Sequence, residues 1–311
     1  MASPAPAETR NALIAGLVCY TLWGVFPLLF MAMAASGFTA SEILAQRGLW
    51  AVVFAAGLVL LSGQIDQVRR VLTTPATLGW LALSTGLILI NWGAYVWATT
   101  HQHTLEASLG YYINPLINMV AGLFLFRERI DRWGWVAIGS AAVGVALQAL
   151  ALGRAPWLSI LIALTFAAYG VIRKHVAADA QTGLFVECLL MIPVAAGLLI
   201  WLNHTGQMVG FAGAAHWGWS IASGLATVLP LALFAWSARR LPLSTIGFLQ
   251  FLAPTLQFGI GVISGEALTP LRTLSFVFIW AGAAVFAGAA LWRKRAEMMA
   301  LRTTVGGLSE G

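Results

Sequence analysis

Residues 105–132 read Leu105-Glu-Ala-Ser-Leu-Gly-Tyr-Tyr-Ile-Asn-Pro115-Leu-Ile-Asn-Met-Val-Ala-Gly-Leu-Phe-Leu125-Phe-Arg127-Glu-Arg129-Ile-Asp-Arg132. From 105 to 126 the stretch is apolar or weakly polar, with one carboxylate at its start, and Arg127, Arg129 and Arg132 follow at once. An α-helix of about 20 such residues spans about 30 Å, the thickness of the bilayer hydrocarbon. Lys and Arg collect on the cytoplasmic side of such spans. The stretch therefore reads as a membrane span that leaves the bilayer into the cytoplasm.

The same pattern runs along the whole chain. Ten apolar runs fall at roughly 11–33, 41–61, 77–99, 105–126, 133–151, 156–173, 183–203, 215–237, 243–264 and 271–292, with short polar joints between them. No soluble domain fits in any joint. Tails 1–10 and 293–311 read as disordered cytoplasmic ends, the second of them basic. With the N-terminus inside, fourteen of the seventeen Lys and Arg residues fall in cytoplasmic joints and tails. Arg154 and Arg272 lie outside, and Arg47 lies within a span. Adding or deleting one span would scramble this alternation. The expected fold is all-α integral membrane: ten helices, both termini cytoplasmic.

Composition agrees. The 311 residues are 60% hydrophobic and only 9% charged, against about 25% charged in soluble domains. A net charge of +6 raises the question of nucleic acid, but the basic residues sit between apolar runs and form no stripe interleaved with aromatics. The expected partners are a lipid bilayer and a small-molecule solute, with no nucleic acid and an open oligomeric state. Cys19 and Cys188 lie inside apolar runs and read as buried thiols rather than a disulfide framework. No Walker A loop or HExxH motif occurs, so no cofactor, metal or direct ATP drive is expected.

Sequence landmarks recur in order. Tyr20-Thr-Leu-Trp23-Gly24 resembles Phe166-Ala-Ala-Tyr169-Gly170 at an offset of 146, while Trp97 matches Trp236 and Pro115 matches Pro254 at 139. Glu128 and Glu266 follow those prolines at nearly equal distances. Two five-helix halves are expected, 11–151 and 156–292. Five is odd, so the second half enters the membrane inverted, the arrangement that permits alternating access about a central site.

Four blocks carry a family resemblance: Glu42-Ile-Leu-Ala-Gln-Arg47, Asn91-Trp-Gly-Ala-Tyr95-Val-Trp97-Ala, Ala107-Ser-Leu-Gly-Tyr-Tyr-Ile-Asn-Pro115 and Ile246-Gly-Phe-Leu-Gln250-Phe-Leu-Ala-Pro254. They resemble the RarD branch of EamA-type permeases in the drug/metabolite transporter superfamily. The resemblance covers roughly residues 10–292. It implies a ten-helix inner-membrane permease with an inverted repeat, and leaves solute and direction open.

Ionisable groups inside spans are costly and mark function. Arg47 lies about 9 Å into its span by helical rise and reads either as an anion anchor or as a side chain snorkelling to the interface. Glu187 lies past the first turn of its span, where capping no longer explains it. A carboxylate in a low-dielectric cavity can take up and release protons, so Glu187 is a candidate for coupling or for a substrate ammonium. The competing reading pairs it with Arg173 or Lys174. Glu42 is a weaker charge candidate, because Thr39-Ala-Ser-Glu42 fits a capping box. Glu106 suits a helix N-terminal dipole, and Glu128 and Glu266 read as turn organisers. Thr269-Pro270 marks a helix start.

The expected solute wall is Asn91, Trp92, Tyr95, Tyr111, Tyr112, Asn114, Gln250 and Trp23. Asn91 and Tyr95 share one helix face, and the prolines of the fourth and ninth spans leave backbone carbonyls that must meet protein or a wet cavity. Helix–helix hydrogen bonds and interfacial belts are the competing account, and fourteen tryptophans exceed what one wall needs. His101 and His103 carry little metal signal. The function expected is secondary transport of a small metabolite, amino acid or drug-like solute, with export as one direction left open. An intramembrane transferase or a non-transporting sensor is the alternative, and the chain shows no acid/base or metal constellation for an enzyme.

Overall fold

The computed structural model describes residues 6–125, 132–153, 155–238, 240–241 and 249–307. The described residues are helical and carry no strand. The helices are α1 (Pro6–Ala35), α2 (Ala40–Leu61), α3 (Ile65–Leu72), α4 (Pro75–Thr100), α5 (Thr104–Leu125), α6 (Arg132–Leu152), α7 (Trp157–His175), α8 (Ala180–His204), α9 (Ala214–Ala238), α10 (Leu252–Ile263) and α11 (Pro270–Gly307). Seven of them, α1, α2, α4, α6, α8, α9 and α11, contain stretches long and apolar enough to cross a membrane; α7 and α10 hold shorter apolar stretches. Leu28, Val53, Leu83, Ile90, Val194 and Ile200 are all about half exposed along these helices. Lipid, not water, is the solvent that suits such a surface. The chain is an all-α, multi-pass membrane protein.

Two expectations need correction. The tails were expected to be disordered, yet α1 begins at Pro6 and α11 continues to Gly307. Residues 293–307 are rich in Arg, Ala, Met, Leu, Lys and Glu, good helix formers that extend an existing helix without a new nucleation cost. The joint after α2 holds α3, an amphipathic helix that buries Val68 and Val71. Glu128 and residues 243–248 lie outside the described residues.

Local chemistry sets the helix ends. Thr39 caps α2, its side chain accepting the Glu42 amide hydrogen at 3.1 Å. Thr269 accepts from the Arg272 amide at 3.3 Å, and Pro270 opens α11. Gly37 and Gly206 follow α1 and α8 with φ of 94° and 67°, a region open to glycine at little cost. Residues 249–250 are helical, the chain turns at Phe251, and α10 restarts at Leu252. Pro254 sits in that first new turn, where its missing N–H costs nothing.

The close helix pairs are α6 with α11, α2 with α8 and α9, α5 with α7 and α10, α4 with α7 and α8, and α1 with α9 and α10. Lipid gives no hydrophobic drive between helices, so close backbone approach and hydrogen bonds hold such pairs. At the α6–α11 crossing a Cβ on Gly144 would stand 2.8 Å from the Ser275 carbonyl oxygen, and one on Gly282 would stand 2.9 Å from that of Ala137. Ser275 Oγ donates to Gly144 O at 2.7 Å and Ser140 Oγ to Phe278 O at 2.6 Å.

Candidate functional site

The α2, α4 and α9 helices bring Arg47 into the interior. Its side chain is 4% exposed, so it does not snorkel to the interface. The guanidinium lies over Trp92, 3.9 Å from the ring centroid, with Phe26 and Phe30 each at 5.6 Å. Its Nε donates to Thr227 Oγ1 at 2.7 Å. Nη1 is buried without a hydrogen-bond partner. None of the ion pairs among the described residues involves Arg47. The aromatic faces offset part of the cost of burying this cation, about 2 kcal/mol for a desolvated contact. They do not neutralise it.

Tyr95 and Tyr111 stand on the same side. Tyr95 packs edge-on against Phe30 at 6.1 Å and against Tyr111 at 5.4 Å between ring centroids. The Tyr95 hydroxyl is buried and unpartnered, whereas the Tyr111 hydroxyl donates to Asn91 Oδ1 at 3.1 Å. Asn91 is fully engaged: its Nδ2 donates to Ile162 O at 2.8 Å and to Thr165 Oγ1 at 3.0 Å. It ties α4 to α7 and fixes Tyr111.

The other expected wall residues lie in separate settings. The Tyr112 hydroxyl sits 2.6 Å from Thr255 Oγ1 and accepts from Trp280 Nε1 at 2.5 Å, tying α5 to α10 and α11. Trp23 packs on Tyr20 at 5.4 Å and Phe234 at 5.8 Å, and its carbonyl accepts from Gln257 Nε2. Asn114 is fully buried with both amide atoms unpartnered. Gln250 is partly buried beside the turn at Phe251. The structure thus gathers Arg47, Asn91, Trp92, Tyr95 and Tyr111, while Tyr112 and Trp23 belong to other contacts.

The acidic candidates diverge. Glu187 on α8 is 1% exposed. Ser84 Oγ donates to its Oε1 at 2.6 Å, Tyr169 OH to its Oε2 at 3.2 Å, and Arg173 Nε lies 3.7 Å from Oε1. The pairing with Arg173 is therefore present, but in the interior rather than at an interface. Gly183 makes room for it, since a Cβ there would come within 1.8 Å of Arg173 Nη1. Glu42 is fully buried. Only the Thr39 half of its capping box forms: the carboxylate accepts the Val209 amide at 3.0 Å and the Gly210 amide at 2.6 Å, pinning the loop before α9. Glu266 does more than organise its own turn. Its carboxylate accepts the amides of Thr104 at 2.5 Å and Leu105 at 2.9 Å, capping α5 from a distant joint. Glu106 sits in the first turn of that helix, 3.5 Å from His103 Nδ1. His101 and His103 stack on Trp97 at 4.8 and 5.2 Å. Among the described residues no group of His, Cys, Asp and Glu could hold a metal ion.

Sequence reasoning passed over Thr227, Ser84, Phe26 and Phe30. Thr227 had a readable signal: Ser220, Ser223 and Thr227 are spaced three and four apart on an otherwise apolar helix, the spacing of one face. Ser84 and the two phenylalanines had none, because hydroxyls and rings are common throughout these spans.

No family model matches the chain. Curated relatives do. The chain is 38% identical over 303 residues to Protein RarD of Streptomyces exfoliatus, covering 96% of each chain. It is 41% identical over 291 residues to an uncharacterized transporter of Pseudomonas aeruginosa, covering 93% of this chain and 97% of that one. It is 36% identical over 294 residues to Protein RarD of Escherichia coli, with the same two coverages, 93% and 97%. A crystal structure titled only as that of a protein aligns with a TM-score of 0.57 at 21% identity, covering 90% of this chain and 98% of the other. At that identity the match speaks to the fold alone.

Proposed function

This chain belongs to the RarD family of membrane transporters, and from that premise we propose that it is a secondary permease, moving a small metabolite by alternating access between two inverted five-helix halves. The ten-span reading rests on the ten apolar runs and on the alternation of basic joints, which also argues for cytoplasmic termini; a bacterial inner membrane is the location the family implies.

The observation that carries the proposal is a pairing pattern. Let α1, α2, α4, α5 and α6 correspond to α7, α8, α9, α10 and α11. The contact of α1 with α9 then has its counterpart in α7 with α4, α1 with α10 in α7 with α5, and α2 with α9 in α8 with α4. The α2–α8, α5–α10 and α6–α11 pairs map onto themselves. Single residues follow the same rule. Gly144 and Ala137 are each 138 residues before Gly282 and Ser275, and each glycine meets the other pair's carbonyl. Trp97 and Trp236 each carry a basic ring partner four residues on, His101 at 4.8 Å and Arg240 at 4.4 Å. Two halves exchanging roles about a twofold axis are the physical basis of alternating access.

In this reading Arg47, Trp92, Tyr95 and Tyr111 meet the solute, Asn91 holds Tyr111 in place, and Glu187 with Arg173 is the coupling pair. The test is solute counterflow in proteoliposomes. Wild-type protein should exchange solute across the bilayer, and Arg47→Ala, reconstituted at equal density, should not. Unchanged counterflow in Arg47→Ala would remove this site from the pathway.

A further inference from the structure

We propose that the solute bound at Arg47 is an organic monocarboxylate with a compact apolar or aromatic body. The inference rests on the transporter reading above and adds the substrate's charge and shape.

Three observations carry it. First, Arg47 is 4% exposed, yet its Nη1 has no partner and none of the described ion pairs includes it. A buried cation in a lipid-embedded core calls for an anion. The planar guanidinium fork suits a carboxylate. Second, beside Phe30, which packs on both the Arg47 guanidinium at 5.6 Å and the Tyr95 ring at 6.1 Å, the Tyr95 hydroxyl is also buried and unpartnered. It offers one further donor to the same ligand. Third, the buried carboxylates of α2 and α8 are committed. Glu187 holds Arg173, Ser84 and Tyr169, and Glu42 holds two backbone amides.

Among the described residues the site therefore presents a positive charge without an ion-pair partner, and the carboxylates of α2 and α8 are not free for a substrate ammonium. That favours a monoanion over a zwitterion, and one guanidinium leaves a phosphate dianion half neutralised. Phe26, Phe30 and Trp92 around the cation favour an apolar body. With the anion bound, guanidinium and carboxylate cancel, and the loaded core changes conformation without an exposed charge.

The test is thermal unfolding of the purified full chain in detergent against matched probes. Hexanoate, benzoate and 3-phenylpropionate supply the carboxylate. 3-Phenylpropionamide, L-phenylalanine and phenyl phosphate supply the neutral, zwitterionic and dianionic comparisons. At least one monocarboxylate should raise the unfolding temperature saturably, with no equal shift from the comparisons. Arg47→Gln should abolish the shift. Should that variant fail to fold, Tyr95→Phe should raise the half-saturating concentration about tenfold, the loss of one charge-assisted hydrogen bond. Absence of stabilisation by every monocarboxylate overturns the proposal, as does an equal shift from the amide, the zwitterion or the phosphate ester. Counterflow of the same probes separates the two readings. Carboxylate stabilisation without counterflow leaves the site standing and removes the transporter, whereas counterflow of amide or zwitterion alone does the reverse.

Discussion

At the scale of single residues, three buried carboxylates show how the same side chain takes different work from its surroundings. Glu42 and Glu266 accept backbone amides, one pair in the loop before α9 and one at the start of α5. Glu187 faces a cation and two hydroxyls. Removing an acceptor from a buried N–H costs about 1–3 kcal/mol. Glu42→Ala should therefore lower the thermal unfolding temperature of detergent-solubilised protein markedly, and an unchanged melting curve would mean that the loop is held otherwise. Glu187→Gln tests a different property. If Glu187 couples transport to protons, the variant should retain counterflow but lose the response to an imposed pH gradient, and a wild-type response would free Glu187 of that role. Sequence position alone separated Glu187 from Glu42, because one lies past the first turn of its span and the other fits a cap. It could not reveal that Glu42 reaches 167 residues along the chain to Val209. Nor could it tell the packed Tyr112 from the unpartnered Tyr95, since both are tyrosines near a proline or tryptophan, and only the fold decides which hydroxyl finds Thr255 and Trp280.

At the scale of elements, hydropathy placed several of the long helices. The apolar run at 41–61 became α2 at Ala40–Leu61, and that at 77–99 became α4 at Pro75–Thr100. Membrane spans are legible because length and apolarity are forced by the bilayer. Amphipathic α3 was missed for the complementary reason: eight residues with Asp66, Arg69 and Arg70 carry no span signal. Helix pairing was invisible for a third reason. It is set by small residues, and this chain has 32 glycines, of which only some mark a crossing. Gly144 and Gly282 do. Overpacking such a contact costs about 1–3 kcal/mol, so Gly144→Val should lower the unfolding temperature, while the same change at Gly139, which meets nothing within 4 Å, should be far milder. Equal effects at both positions would show that the α6–α11 crossing is not close-packed.

At the scale of the whole molecule, the helices pair in a twofold pattern, and between α2, α4 and α9 lies the buried Arg47, without an ion-pair partner among the described residues; we propose this site as the transport centre. Alternating access requires that this centre open to each side of the membrane in turn. Thr227 donates nothing to Arg47 but accepts its Nε hydrogen at 2.7 Å, so a thiol at 227 reports on the site itself. The two native cysteines are both buried and unpaired and can be replaced by alanine to give a clean background. The most direct measurement is labelling of Thr227→Cys in oriented vesicles with a membrane-impermeant thiol reagent, applied from one side and then from the other. The account predicts modification from both sides and protection by a stabilising solute; modification from one side only, or from neither, would contradict it.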